Sequence, residues 1–111
     1  MSSFLAGVVA LSSILLSTGA QADEPAPIVV TLENHIFTPS EIHIPAHTKA
    51  VIIVKNNDAT AEEFESGALK IEKVVAAHSQ GEIHVRPSEH GHYTFVGEYH
   101  EKVARGVIVV D

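Results

Sequence analysis

From Ile28 onward the apolar residues of this chain recur mostly at every second position, and turn-forming residues interrupt them at short, regular intervals. Period two sends successive side chains to opposite faces, which suits a half-buried strand; an amphipathic helix needs a period near 3.6. Ile28 to Asn34 is β-rich, Phe37-Thr38-Pro39 turns the chain, and Glu41 to Ile44 alternates with Ile42 and Ile44 inward and His43 outward. Ala50 to Lys55 is a near-continuous apolar run, as in a central strand, and Asn56-Asn57-Asp58 ends it with turn chemistry. Gly81 to Arg86 alternates, with Ile83 and Val85 inward and His84 outward. Pro87 to Gly91 is a turn, Tyr93-Thr94-Phe95 alternates again, and Gly106 to Val110 is a closing β-branched strand. Residues 59–70 are the least regular: Ala61 to Glu65 has the composition to start a short helix, which Ser66-Gly67 interrupts, and Lys70 to Val75 reads as strand. Short strands at this spacing predict an all-β sandwich, with Phe37, Phe64, Tyr93 and Phe95 in its core.

The first 22 residues read differently. Phe4 to Leu16 is almost wholly apolar or small, Ala20-Gln21-Ala22 is a small-x-small cleavage signal, and Asp23-Glu24-Pro25 breaks any helix that follows. The run is short for a membrane span. The expectation is a signal peptide over residues 1–22, cleaved after Ala22, and one domain over residues 23–111 in the periplasm. No Lys or Arg precedes the run, so an uncleaved anchor is the alternative. The net charge of −7 argues against nucleic-acid binding, which needs a basic footprint, and is compatible with cations. The chain has no Cys, so an exported domain of this size has no disulfide to help it. It has 8 His, a high count for its length.

Simple up-and-down connections sort these residues by end. If Ile28 to Asn34 runs up, Glu41 to Ile44 runs down and Ala50 to Lys55 runs up; Tyr93 to Val96 then runs up and Gly81 to Arg86 down. One end gathers His35, Glu62, Glu63, Glu65, His78, Glu98, His100 and Glu101, and the other has His47 and His90. His43, His84 and His92 fall on outward strand faces and read as solvated surface. Clustered carboxylates repel one another unless they are solvated or bridged by a cation, so the first end is a candidate metal site. Carboxylate with imidazole suits several divalent ions, and the affinity order favours copper.

Two segments carry a family resemblance. Asn56-Asn57-Asp58-Ala59-Thr60-Ala61-Glu62-Glu63-Phe64 resembles the cupredoxin segment in which a strand ends in an Asn-rich turn, followed by a metal-ligand His and then Phe. Gly91-His92-Tyr93-Thr94-Phe95-Val96-Gly97-Glu98-Tyr99-His100, closing with Gly106 to Val110, resembles the cupredoxin C-terminal signature Gly-x-Tyr-x-Phe-x-Cys, then a loop with His and Met, then Gly and a final strand. The Phe37-x-Pro39 turn fits as well. The resemblance implies a cupredoxin-like Greek-key β-sandwich. The departures are specific: the Cys position is Gly97, the Met position falls near Ala104, the first His position is Glu62 or Glu63, and only His100 keeps a ligand type. The stretch Glu62-Glu63-Phe64-Glu65-Ser66, with Leu69 and Glu72-Lys73-Val74-Val75, resembles the cupredoxin-like proteins that accompany bacterial high-affinity iron permeases in Ftr and EfeO-type uptake systems. That likeness implies a periplasmic accessory protein that binds an iron or copper ion and partners an iron permease or other periplasmic uptake components. The implied metal positions are Glu62 or Glu63 and His100; the strand directions add Glu98 and His35.

Two other functions remain consistent with these residues: a periplasmic copper or divalent-metal buffer, and a protein-interaction domain on a cupredoxin scaffold that holds no metal. No Ser nucleophile motif, phosphate loop or cofactor fingerprint is present, so enzymatic activity extends at most to assisting ferrous oxidation. Free edge strands leave a homodimer open. A blue-copper centre requires a thiolate, so this protein is not a blue-copper electron carrier. Absorption spectroscopy of the cupric-loaded protein will show no intense thiolate-to-copper charge-transfer band.

Overall fold

The computed structural model describes residues 25–111 and, before them, only Ser3, Gly7 and Ala10. The expected signal peptide and its cleavage point lie outside the described residues. Among the described residues nine strands form two packed sheets: β1 (Ile28–Glu33), β2 (Ile36–Thr38), β3 (Glu41–Ile44), β4 (Ala50–Asn56), β5 (Glu62–Ser66), β6 (Ile71–Val75), β7 (Gln80–Val85), β8 (Gly91–Gly97) and β9 (Arg105–Val110). A 3₁₀ turn, Glu98–His100, follows β8. One sheet has the order β2-β1-β4-β7 and the other β3-β9-β8-β5-β6. No helix among the described residues is long and apolar enough to cross a membrane.

The strand directions agree with the up-and-down argument. β1 and β4 are parallel, with Val30 opposite Val54, and β7 runs antiparallel to β4, with Ile52 opposite Ile83. β8 lies between antiparallel β9 and β5, and β6 runs antiparallel to β5. The alternation places the core where period two requires: Ile42, Ile44, Ile83 and Val85 are buried while His43 and His84 are exposed. Phe37, Phe64 and Phe95 meet between the sheets. Phe64 and Phe95 stack with centroids 4.6 Å apart, and Phe37 meets both edge-on at 5.8 and 5.2 Å. Such pairs contribute about 0.5–1.5 kcal/mol each beyond their burial. Tyr93 packs against this core at its edge.

Two local expectations are corrected. Residues 61–65 are not helical. Glu62 to Ser66 is a strand because its residues alternate in depth, with Glu62, Phe64 and Ser66 buried, and because β6 and β8 supply its hydrogen bonds on both sides. The first reversal is not at Phe37-Thr38-Pro39. It falls at Asn34-His35, a two-residue hairpin turn between Glu33 and Ile36 with φ of 51° and 61°. Positive φ at both positions matches the right-handed twist of the flanking strands, and Asn is among the few residues that accept it.

Truncating Phe95 should leave a cavity that neither sheet can close. Phe95→Ala is expected to lower stability by about 3–5 kcal/mol in urea denaturation, with the strand signal in circular dichroism retained below the transition.

Candidate metal centre

Three elements converge at one end of the sandwich. The β1–β2 turn contributes His35, the start of β5 contributes Glu62, and the 3₁₀ turn after β8 contributes His100. One ligand atom from each lies within 4.8 Å of the other two. His100 Nδ1 is 2.6 Å from Glu62 Oε2, and the His35 ring stacks on the His100 ring with centroids 3.5 Å apart and planes 12° apart.

Glu62 is the buried member, its side chain only 3 % exposed. Burying a carboxyl group is costly unless its lone pairs are satisfied. Here the backbone amides of Glu63 and Tyr99 donate to Oε1 at 3.0 and 2.9 Å, while Oε2 faces His100. The backbone around His100 is tied back on itself: the amides of Val103 and Ala104 donate to its carbonyl, and the Gly97 amide donates to the Ala104 carbonyl. His100 keeps partial exposure, 29 % of its side chain, and borders an open cleft of about 440 Å³ lined by Glu98, Tyr99, Glu101, Lys102 and Val103.

His35 is positioned by a residue the sequence reading did not single out. The Asp58 carboxylate accepts the amides of Asn34 at 2.7 Å and His35 at 2.9 Å, and its Oδ2 lies 3.4 Å from His35 Nδ1. Burial pushes the Asp58 pKa up, but the His35 and Asn34 amides and the facing imidazoles outweigh it and hold it below its ordinary value of 3.8. Asp58 is in turn placed by Asn56, which is buried. The Asn56 side chain accepts the Asp58 amide and donates toward the carbonyls of Thr60, Val75 and Ala76. The available signal was the Asn56-Asn57-Asp58 turn itself, whose side chains favour such local backbone bonds.

The structure divides the five predicted ligands. His35, Glu62 and His100 come together, while Glu63 and Glu98 join Glu65 and Glu72 in a separate acidic group. Strand geometry gives the reason: adjacent residues of β5 face opposite ways, so Glu62 points into the sandwich and Glu63 and Glu65 point outward. Glu63 is raised above 4.5, first by its hydrogen bond with Glu98, then by some burial and by the Glu98 charge. Glu98 is also raised: its hydrogen bond from Glu63 pulls it down, and the hydrogen bond and charge of Glu65 outweigh that pull. His78 and Glu101 belong to neither group. The outward His43 and His84 sit beside Glu41 and Asp111, and Glu82, and His47 at the far end sits beside Glu89, exposed pairs of little net worth.

The donor set suits a divalent ion. Two imidazoles and one carboxylate are typical ligands of zinc, copper or ferrous iron. They do not suit a blue-copper ion, because the chain has no thiolate.

A family profile described as a cupredoxin-like domain matches residues 4–110. An uncharacterized protein of Rickettsia prowazekii (strain Madrid E) is 36 % identical over 89 residues, covering 80 % of this chain and 71 % of that protein. Among solved structures, a copper binding protein in the apo form superposes with a TM-score of 0.67 at 15 % identity, covering 77 % of this chain and 86 % of that one. Auracyanin A, a "blue" copper protein from Chloroflexus aurantiacus, gives 0.67 at 16 %, covering 78 % and 99 %. The metal binding domain of the Streptococcus pneumoniae Cu(I) exporting P-type ATPase CopA gives 0.61 at 18 %, covering 78 % and 96 %. At these identities the structural likeness shows the shared fold.

A carboxyl group with a raised pKa makes the folded state bind more protons than the unfolded one. Stability therefore falls as pH rises from about 4.5 through the folded value of Glu63. Glu98→Gln should raise the melting temperature at pH 7, and the gain should shrink to nothing as pH falls below 4.5, read by thermal scans across that range.

Proposed function

We propose that this chain, which belongs to the cupredoxin-like domain family, is a periplasmic metal-binding protein whose ion is held by His35, Glu62 and His100. The observation that carries this reading is the convergence of two imidazoles and a buried carboxyl group from three separate elements within 4.8 Å. Two backbone amides are committed to holding the Glu62 carboxyl group in place within the cluster. The Asp58 carboxylate behind His35 is the kind of outer partner that orients an imidazole ligand.

Copper is the first candidate ion. Divalent copper leads the affinity order for nitrogen and oxygen donors, and the structural relatives named above include copper-binding proteins. The ion would supply Lewis acidity and, for copper, a one-electron redox couple. The protein's own residues bind it, orient the imidazoles and shield the carboxylate from water. His100, at the edge of the cleft, is the side of the site open to an incoming group.

The finer reading is an accessory role in high-affinity iron uptake, with an iron permease or its associated periplasmic components as partner. Its support is the Glu62-Glu63-Phe64-Glu65-Ser66 stretch, with Glu72-Lys73 after it, on β5 and β6 beside the site. Export to the periplasm is supported by the apolar segment from Phe4 to Leu16 and by Ala20-Gln21-Ala22. Handling of iron would then be a matter of cargo, with the carboxyl-rich face next to the site favouring a hard cation.

Calorimetric titration of the metal-free protein with cupric ion, and with ferrous ion under anaerobic conditions, tests the reading. One tight site is expected, with Glu62→Ala or His100→Ala weakening it by more than about 100-fold, beyond the ~10–100-fold typical of outer partners such as Asp58. Binding that survives in the Glu62→Ala/His100→Ala protein would remove this site. The absence of any tight site in the unaltered protein would leave the fold as a scaffold for protein contacts.

A further inference from the structure

The residue after Val96 is glycine, and its backbone gives no reason for it. Gly97 has φ −86° and ψ 105°, an extended conformation open to any side chain. Glycine also weakens a strand, because it has the most freedom to lose and nothing to pack. The reason is space. A Cβ on Gly97 would lie 2.6 Å from Glu62 Cδ, 2.9 Å from Glu62 Oε2 and 2.8 Å from Ala104 Cβ, all closer than such atoms approach.

Neither neighbour is free to retreat. Glu62 is pinned by the Glu63 and Tyr99 amides on one oxygen and by His100 on the other. Ala104 is fully buried; its amide donates to the His100 carbonyl and its carbonyl accepts the Gly97 amide. The carboxyl group of Glu62 therefore occupies the volume into which a side chain at position 97 would project.

We propose that Gly97 is the specificity-determining residue of this centre: its missing side chain admits the Glu62 carboxylate as a ligand, so that on this scaffold a carboxylate site and a site with a side-chain ligand from position 97 exclude each other. The proposal rests on the reading of His35, Glu62 and His100 as a metal centre and names what sets its ion class. An oxygen and two nitrogens favour divalent ions, whereas a thiolate at the same point would favour cuprous ion. Gly97 touches no ion itself; it acts through Glu62, and its small size is the whole of its contribution.

The test uses the full chain in two arms. The first is a double-mutant cycle on unfolding, with Gly97→Ala, Glu62→Ala and the two together. Gly97→Ala should lower the folding constant at least tenfold more in the unaltered protein than in the Glu62→Ala background. If Gly97→Ala alone does not fold while Glu62→Ala/Gly97→Ala does, the same conclusion follows. Equal penalties in both backgrounds would overturn the proposal, because the clash would then lie with Ala104 or the backbone.

The second arm loads cupric and cuprous ions into Gly97→Cys and Glu62→Ala/Gly97→Cys. The double variant should show a thiolate-to-copper charge-transfer band and bind cuprous ion at least about 100-fold more tightly than the unaltered protein. The band appearing equally in Gly97→Cys alone, with the Tyr99 and Glu63 amide resonances unmoved, would overturn mutual exclusion. An unaltered protein without a cupric site would defeat the metal-centre reading on its own, a result separable from the outcome of the cycle.

Discussion

The buried carboxyl group of Glu62 and the donors around it set the terms for one end of this sandwich. A carboxyl side chain 3 % exposed is tolerable only where fixed donors replace water. Two of those donors are backbone amides, from Glu63 on β5 and from Tyr99 in the 3₁₀ turn, so the same interaction docks the turn after β8 onto the neighbouring strand. The third partner, His100, follows from that docking. A side chain on Gly97 would enter space that Glu62 and Ala104 already fill.

Around this contact the polar residues form a continuous support. Asn56, at the end of the central strand β4, holds the loop that presents Asp58, and Asp58 holds the strained turn that presents His35. His35 then lies flat against His100. Each contact is short, yet together they cross between the two sheets: Asn56 ends β4 and His35 sits in the β1–β2 turn of one sheet, while Glu62 starts β5 and His100 follows β8 of the other. Among the described residues no buried side-chain polar atom lacks a hydrogen-bond partner, so the polar end is as fully satisfied as the aromatic core is closely packed.

The charge of the molecule is arranged by the same strands. Because β5 alternates, one carboxyl group enters the sandwich and its neighbours, Glu63 and Glu65, join Glu72 and Glu98 outside it. The result is an acidic surface beside the site, a field that favours cations near His100.

Much of this was legible in the amino-acid order. Period two and turn residues determined most of the strands, their inward faces and, with simple connections, their directions; that is why His35, Glu62 and His100 were expected at one end. Local pattern failed at Glu62 to Ser66, where composition suggests a helix, because only the hydrogen bonds of β6 and β8 decide the matter. That misreading also left Glu62 and Glu63 unseparated: once β5 is a strand, alternation places Glu62 on the same inward face as the core residue Phe64 and Glu63 on the other. Asp58 was hidden for another reason: its turn is visible, but its target lies across the fold at His35. The sequence by itself determined most of the strands and the end at which the chemistry gathers. Tertiary structure alone decided which side chains meet there, because burial of a carboxyl group depends on donors that other strands bring to it.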